Sequence, residues 1–309
     1  MEHYIGIDIG GTKCAVVKGN LKDGVIEKIR FETTCRDETV ENIMQAVDKL
    51  MPAKGIGISC GGPLDERRGV IMSPPNLPGW DDVHITEMLK ERFGVPAKLL
   101  NDANAGALAE WRFGAGVGSE NMLFLTFGTG LGAGVILNGR LYSGTNGNAG
   151  EIGHIRLADD GPIGYGKAGS FEGFCSGGGI TRLAQSMGKS AIEQGAPLSF
   201  GADEAELASL NTKILADMAH SGDKDALAVF DYSAKKLGEG LSIVIDILNP
   251  QKIVIGGVYS RAEDLFLPEM HKALKRETLA PSYSVCEIVP ATLGEKIGDI
   301  AALCAAMEE

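Results

Sequence analysis

The sequence predicts an α/β protein of two similarly built domains with a ligand cleft between them. Three observations carry that expectation. Each half of the 309-residue chain opens on a strand, a glycine-rich turn and a second strand. Strand-like and amphipathic helical segments then alternate, the pattern of layered α/β domains. Finally, the chain holds 43 glycines, roughly double the usual frequency, without any collagen-like period.

In the first half, residues 4–9 alternate so that Ile5, Ile7 and Ile9 share one strand face and Gly6, Asp8 and Gly10 the other. A second strand follows the turn Gly10-Gly11-Thr12-Lys13, so the pair reads as a hairpin over residues 4–18. Residues 40–50 form an amphipathic helix through Ile43, Ala46, Val47 and Leu50. A buried strand over 55–59 ends at Gly61-Gly62-Pro63, and residues 73–79 are a turn-rich loop. A helix over 85–93, a strand over 97–100 and a helix over 103–111, introduced by Asn101-Asp102, complete the unit. The second half repeats the opening: strand over 122–127, glycine turn over 128–134, strand over 135–137, then a hairpin at Asn138-Gly139. Loops fill 145–180 and helices most of 181–248. A strand over 252–255 runs into Gly256-Gly257, and a final helix spans 297–307.

Composition narrows the partners. A hydrophobic content of 44% can fill two cores, and a formal charge of −12 opposes a nucleic-acid partner, which needs a basic face. It does not oppose an anionic ligand, because bare backbone N–H groups bind phosphate in acidic proteins. The six cysteines form no CxxC pair, no basic-then-apolar leader precedes the first strand, and no apolar run approaches the roughly 20 residues of a membrane span. A soluble cytoplasmic protein with free thiols is expected.

Five pieces carry chemistry. Asp8 at the end of an apolar strand needs water, a partner or a metal, and Gly10, Gly11, Thr12 and Lys13 beyond it expose donors suited to phosphate. Residues 128–134 superficially match a dinucleotide fingerprint, but they continue as strand instead of opening a helix, so the Rossmann reading fails; no P-loop motif exists. Two strand–turn–strand grips suit a nucleotide held from both sides, and Gly256-Gly257 would admit a flat ring. At Asn101-Asp102 a carboxylate sits at a helix N-terminus. Simple N-capping would place one there too, but the helix dipole favours an ionised Asp102 able to take a hydroxyl proton. Glu151 and His154 share a face if 151–154 is a helical turn.

Taken together, these segments resemble the ROK family of bacterial sugar kinases and sugar-responsive repressors, over nearly the whole chain. Gly61-Gly62-Pro63-Leu64-Asp65, Asn76-Leu77-Pro78-Gly79-Trp80, Asn148-Ala149-Gly150-Glu151-Ile152-Gly153-His154 and Gly298-Asp299 complete the likeness. The resemblance implies a two-domain actin/hexokinase/Hsp70-like (ribonuclease H-like) fold. Its small domain would comprise 1–113 plus 294–309 and its larger one 114–293, the last helix crossing back to the first domain. It implies an ATP-dependent hexose kinase using Mg²⁺, giving a sugar 6-phosphate, and a homodimer. Asp8 would position Mg²⁺ through water. Gly10, Gly11, Thr12, Lys13, Thr129 and Gly130 would line the phosphate path, and Gly256 and Gly257 would face adenosine. Gly62, Asn76, Asn101, Asp102, Glu151, His154 and Glu172 would bind sugar hydroxyls, with Asp102 as base. Glu151, His154 and Glu172 make glucose the first candidate; polyphosphate remains an alternative donor.

One departure stands out. The family's three zinc cysteines are replaced by Ile163, Tyr165 and Ser170, and Cys175 with His154 cannot complete a tetrahedral N/S site. No structural zinc is expected. A structural zinc contributes on the order of 10 kcal/mol and a buried apolar side chain roughly 1.5–3 kcal/mol. Packing of Ile163, Tyr165, Phe171 and Phe174 is therefore expected to hold the loop and still present Glu172. Three alternatives fit less well. A family repressor would need a helix-turn-helix segment before Tyr4, other ATPases of the superfamily lack the sugar residues, and a non-catalytic sugar sensor would not need Asp8, Lys13 and Asp102.

Overall fold

The computed structural model describes residues 2–308. They form two compact units: Met1–Gly118 with Gly134–Ala149 and Leu293–Glu309, and Ser119–Ala133 with Gly150–Thr292. The second therefore differs from the expected 114–293 chiefly in lacking Gly134–Ala149.

The first unit is built on β1 (Tyr4–Ile9), β2 (Lys13–Asn20), β3 (Gly24–Glu32), α1 (Arg36–Leu50) and β4 (Ile56–Cys60). A small ribbon of β5 (Leu64–Asp65) and β6 (Val70–Ile71) follows, then α2 (Ile85–Phe93), β7 (Ala97–Asn101) and α3 (Asp102–Phe113). The sheet order is β3-β2-β1-β4-β7, antiparallel across the first three strands and parallel from β1 through β4 to β7. The isoleucine face of β1 is the core face: Ile5, Ile7 and Ile9 bury against Ile43, Val47 and Leu50 of α1 and Ile58 of β4.

The second sheet, ordered β10-β9-β8-β13-β14, has the same plan. Its strands are β8 (Met122–Phe127), β9 (Leu131–Leu137), β10 (Arg140–Leu141), β13 (Lys252–Ile255) and β14 (Glu287–Pro290). β9 pairs antiparallel with β10, and β13 pairs parallel with both β8 and β14. Between β10 and β13 come a 3-10 turn (Ile152–His154), a ribbon of β11 (Ile163–Gly164) and β12 (Lys167–Ala168), and α4 (Phe171–Phe174). Then follow α5 (Gly177–Glu193), α6 (Glu204–Ser209), α7 (Thr212–His220) and α8 (Lys224–Leu248). α9 (Val258–Arg261), α10 (Glu263–Glu277) and α11 (Ala280–Tyr283) precede β14. An aromatic cluster fills the core behind β8: Phe266 meets Phe127 and Phe230 edge-on, at ring separations of 5.5 and 5.6 Å.

Two expectations change. The glycine turn is only Gly128–Gly130, because β9 starts at Leu131 and not at 135. Its later glycines serve close packing: an ideal Cβ on Gly134 would lie 2.4 Å from the Ala103 carbonyl oxygen of α3. The expected packing of Ile163 and Tyr165 also fails, as these side chains are 56% and 77% exposed. Tyr165 and Gly166 both have positive φ (42° and 75°) at the tip of the β11–β12 hairpin. A two-residue turn of that hand aims its tip side chain outward. Phe171 and Phe174 do bury as expected.

The last helix, α12 (Ile297–Ala306), belongs to the first unit and lies on the face of β1 and β4 opposite α1. Paired glycines make this possible. Gly6 of β1 stands opposite Gly57 of β4; a Cβ on Gly6 would sit 2.5 Å from the Leu303 nitrogen, and one on Gly57 would sit 2.1 Å from that of Ala306. Backbone therefore packs on backbone. We predict that Gly57→Ala, by forcing α12 off the sheet, lowers unfolding free energy by about 1–3 kcal/mol. Gly55→Ala is the control in the same urea titration, since its nearest neighbour would be an ordinary 3.5 Å away.

Candidate active site

In the first unit the candidate residues gather at the carboxyl ends of β1, β4 and β7. Asn101 ends β7 and caps α3; its side-chain oxygen accepts the Ala103 N–H at 2.9 Å. Asp102 opens α3 with its side chain exposed, and one carboxylate oxygen accepts the same N–H at 2.9 Å. The capping expected at this corner is thus present, performed mainly by Asn101, while Asp102 stays open to solvent at the positive end of a 12-residue helix.

Glycines bring the neighbours in. A Cβ on Gly61 would be 4.0 Å from both the Asn76 amide nitrogen and an Asp102 carboxylate oxygen. One on Gly62 would be 3.5 Å from the Asn101 amide, and one on Gly11 only 2.6 Å from the Asn76 carbonyl oxygen. Gly11, Gly62, Asn76, Asn101 and Asp102 thereby share one neighbourhood. The turn to β2 closes when the Gly10 N–H donates to the Lys13 carbonyl at 3.1 Å, leaving Thr12 and Lys13 exposed.

Asp8 lies at the first turn of α12, where a Cβ on Gly298 would stand 2.5 Å from its carboxylate. Burial, then the negative charges of Asp299 and Asp102, push the Asp8 carboxyl up to about 6; Lys28 and Arg30 partly offset this. Lys28 also forms an ion pair with Asp299. Among the described residues no three His, Cys, Asp or Glu groups converge to chelate an ion directly. Below Asp102, the buried Cys60 thiol is pushed well up by burial and by the charges of Asp102 and Asp8.

Sequence reasoning missed Glu66. Its carboxylate accepts the Asn101 N–H and the Asn104 side-chain amide, each at 2.9 Å, and so braces the Asp102 corner from 35 and 38 residues away. Nothing local in a loop sequence signals such a reach.

In the second unit the turn Gly128–Gly130 is closed by a 3.0 Å bond from the Gly128 N–H to the Gly130 carbonyl, with Thr129 exposed. The Gly177 N–H at the start of α5 donates to the Gly128 carbonyl at 2.7 Å. Glu172 reaches the same turn: one of its oxygens accepts the Leu131 N–H at 3.0 Å, and a Cβ on Gly130 would be 2.7 Å from that oxygen. Glu151 and His154 cap and end the 3-10 turn, exposed, so their spacing of three does put them on one face. Gly256 and Gly257 follow β13. Gly257 has φ of 65°, and a Cβ there would collide with the Phe127 carbonyl oxygen at 2.0 Å, so β8 and the β13 turn meet backbone to backbone.

The residues of the emptied zinc motif do not fit zinc. Ile163 and Tyr165 face solvent, Ser170 is buried and accepts the Gly173 N–H at 3.1 Å as cap of α4, and the buried Cys175 thiol donates to the Ser233 carbonyl at 3.4 Å.

The model of the ROK family matches residues 4–309. The chain is 33% identical to a glucokinase of Halalkalibacterium halodurans, covering 96% of this chain and 92% of that protein. Its fold is similar to a ROK hexokinase of Thermus thermophilus, with a TM-score of 0.83 and 30% identity, covering 99% of this chain and 98% of the other. It is also similar to a ROK glucokinase of Streptomyces griseus solved with glucose and AMPPNP, at TM-score 0.77 and 30% identity over 99% of each chain.

The Asp8 carboxyl yields a pH signature. Its folded pKa lies above the usual 3.8, so between about pH 4 and 6 the folded state binds more protons than the unfolded one. Its contribution to stability is therefore fully present below that window and is lost as pH rises through it, by on the order of 2–3 kcal/mol. Asp8→Asn, in metal-free buffer, should be more stable than wild type at pH 7.5 and nearly equal to it at pH 4, as read by denaturant titration.

Proposed function

Because the chain belongs to the ROK family, we propose that it acts as an ATP-dependent sugar kinase whose acceptor is the 6-hydroxyl of a hexose, glucose first. The observation that carries this reading is the Asp102 corner: an exposed carboxylate at the start of α3, with the Asn76 and Asn101 amides around Gly61 and Gly62 beside it. That is a constellation of acceptors and donors for sugar hydroxyls with one group able to remove a proton. The glucokinase relative and the complex with glucose and AMPPNP support the same acceptor and donor.

On this reading Asn76, Asn101 and the backbone at Gly62 orient the sugar. Asp102 accepts the proton of the hydroxyl as its oxygen attacks the γ-phosphorus in line and ADP leaves. The Gly10–Lys13 turn and the Thr129–Gly130 turn offer backbone and hydroxyl donors to the donor phosphates. Gly256 and Gly257, bare of side chains, suit the adenosine. Asp8 fits a divalent cation held through water, because burial and then the negative charges of Asp299 and Asp102 already raise its pKa and a positive charge would relieve this. Mg²⁺ held by Asp8 through water would supply charge neutralisation at the phosphates. Glu151 and His154 are further candidates to bind sugar hydroxyls. Glu172 has a double duty: one oxygen holds the Leu131 N–H beside the phosphate turn, while the other is available to a sugar hydroxyl.

A coupled assay of about a dozen sugars with ATP, and with polyphosphate as second donor, tests the assignment. Glucose with ATP should give the highest kcat/KM, and absence of turnover with every hexose would overturn the reading. Asp102→Asn should lower kcat by about 10²–10⁴ with glucose affinity largely kept by calorimetry; near-normal turnover would remove Asp102 as base. Glu172→Ala should raise KM for glucose by about tenfold or more and KM for ATP by a smaller factor.

A further inference from the structure

Among the described residues the segment between His154 and Glu172 offers no cluster of metal donors, yet it is closed. The Phe171 N–H donates to the Ile155 carbonyl at 2.7 Å and the Leu157 N–H to that of Gly169 at 2.8 Å. Three cations then bind main-chain carbonyls in it. Arg156 donates to the Ala168 carbonyl at 2.7 Å and Lys167 to the His154 carbonyl at 2.7 Å. Both lie within the segment near solvent, where such bonds are screened.

The third cation differs. Lys236 comes from α8 and is only 9% exposed. Its ammonium donates to the Leu157 carbonyl at 3.2 Å and pairs with Glu239 at 2.8 Å. It also lies 5.4 Å from the ring centre of Phe174 and 6.0 Å from that of Tyr232. A buried ammonium persists only where such partners replace its water, and a desolvated cation over aromatic faces is the strong form of that contact. Leu157 lies three residues after His154, and Phe174 two after Glu172. One side chain thus touches both ends of the segment that presents the two.

We propose that Lys236, and no metal ion, fixes the spacing of His154 and Glu172 for sugar binding, acting as a positioning residue. Its sugar-binding part rests on the function proposed above; the mechanical part does not.

The test uses the full chain, purified without chelators, with Lys236→Met, Lys236→Arg and Lys236→Gln variants. Elemental analysis of wild type should show no stoichiometric zinc. Lys236→Met should raise KM for glucose by about tenfold while kcat and KM for ATP move by less than about threefold. It should also speed tryptic cleavage after Arg156 and Lys167, and Lys236→Arg should recover most of both effects. Lys236→Gln carries the same comparison if Lys236→Met fails to fold. Stoichiometric zinc in wild type would overturn the proposal, as would a variant that loses thermal stability with unchanged glucose KM and unchanged cleavage. If wild type phosphorylates no hexose, the functional reading fails, and the cleavage rates still decide whether Lys236 holds the segment.

Discussion

The contact of α12 with the glycine pair Gly6 and Gly57 is the constraint from which the first unit's chemistry follows. Only a surface without side chains lets a helix axis come so near a sheet. That approach sets Gly298 against Asp8 and delivers Asp299 to Lys28. The far end of α12 is tied as firmly: Arg112 of α3 pairs with Glu308 at 2.8 Å. Buried Glu110 of the same helix accepts the Leu293 N–H, at the entrance to α12, at 3.0 Å. α3 carries Asp102 at its other end. One helix thus fixes the Asp8 carboxylate and the helix that bears Asp102.

Both sheets have the same order, third-second-first-fourth-fifth in their own strand sequence, with a tight glycine turn between first and second strands. The repeated plan gives each unit a turn whose donors are backbone, and the units diverge in what surrounds it. The first unit adds carboxylates and amides, which suit hydroxyl chemistry. The second adds a glutamate that grips the turn from behind and two further glycines at the end of β13. An acidic protein can hold a polyphosphate tail this way, because the attraction comes from oriented peptide dipoles and not from net charge.

Much of this was legible in the residues. The segments Ile85–Phe93, Met122–Phe127 and Lys252–Ile255 have the expected limits, since each is a strong apolar pattern bounded by turn residues. β3 escaped notice because it alternates Glu27, Lys28, Arg30 and Glu32 with apolar residues on the sheet's edge and looks like solvated chain. α10 was obscured by Pro268 and its many charges, though its buried residues Phe266, Met270 and Leu274 do keep helical spacing. In the site, Asp8 stood out because a carboxylate on an apolar strand is costly without a partner, and Asn101 and Asp102 because they open a helix. Glu66 and Lys236 did not, because Asn101 and Asn104 for the one and Leu157 and Phe174 for the other are tens of residues away. The packing expected of Ile163 and Tyr165 failed for a related reason: hairpin geometry, not hydrophobicity, decides where a tip side chain points.

The Cys60 thiol under Asp102 bears on oxidation chemistry. Burial and two nearby carboxylates keep it in the thiol form, and peroxides and alkylating agents attack the thiolate. Burial likewise pushes up the Cys14 and Cys175 thiols, and the Cys304 thiol is pushed up to about 12. Among the described residues Cys35, before α1, is exposed and Cys286 half-buried. The thiol nearest Asp102 is thus a poor target for oxidants, while an electrophilic dye would find its most accessible handle at Cys35, remote in sequence from Asp102.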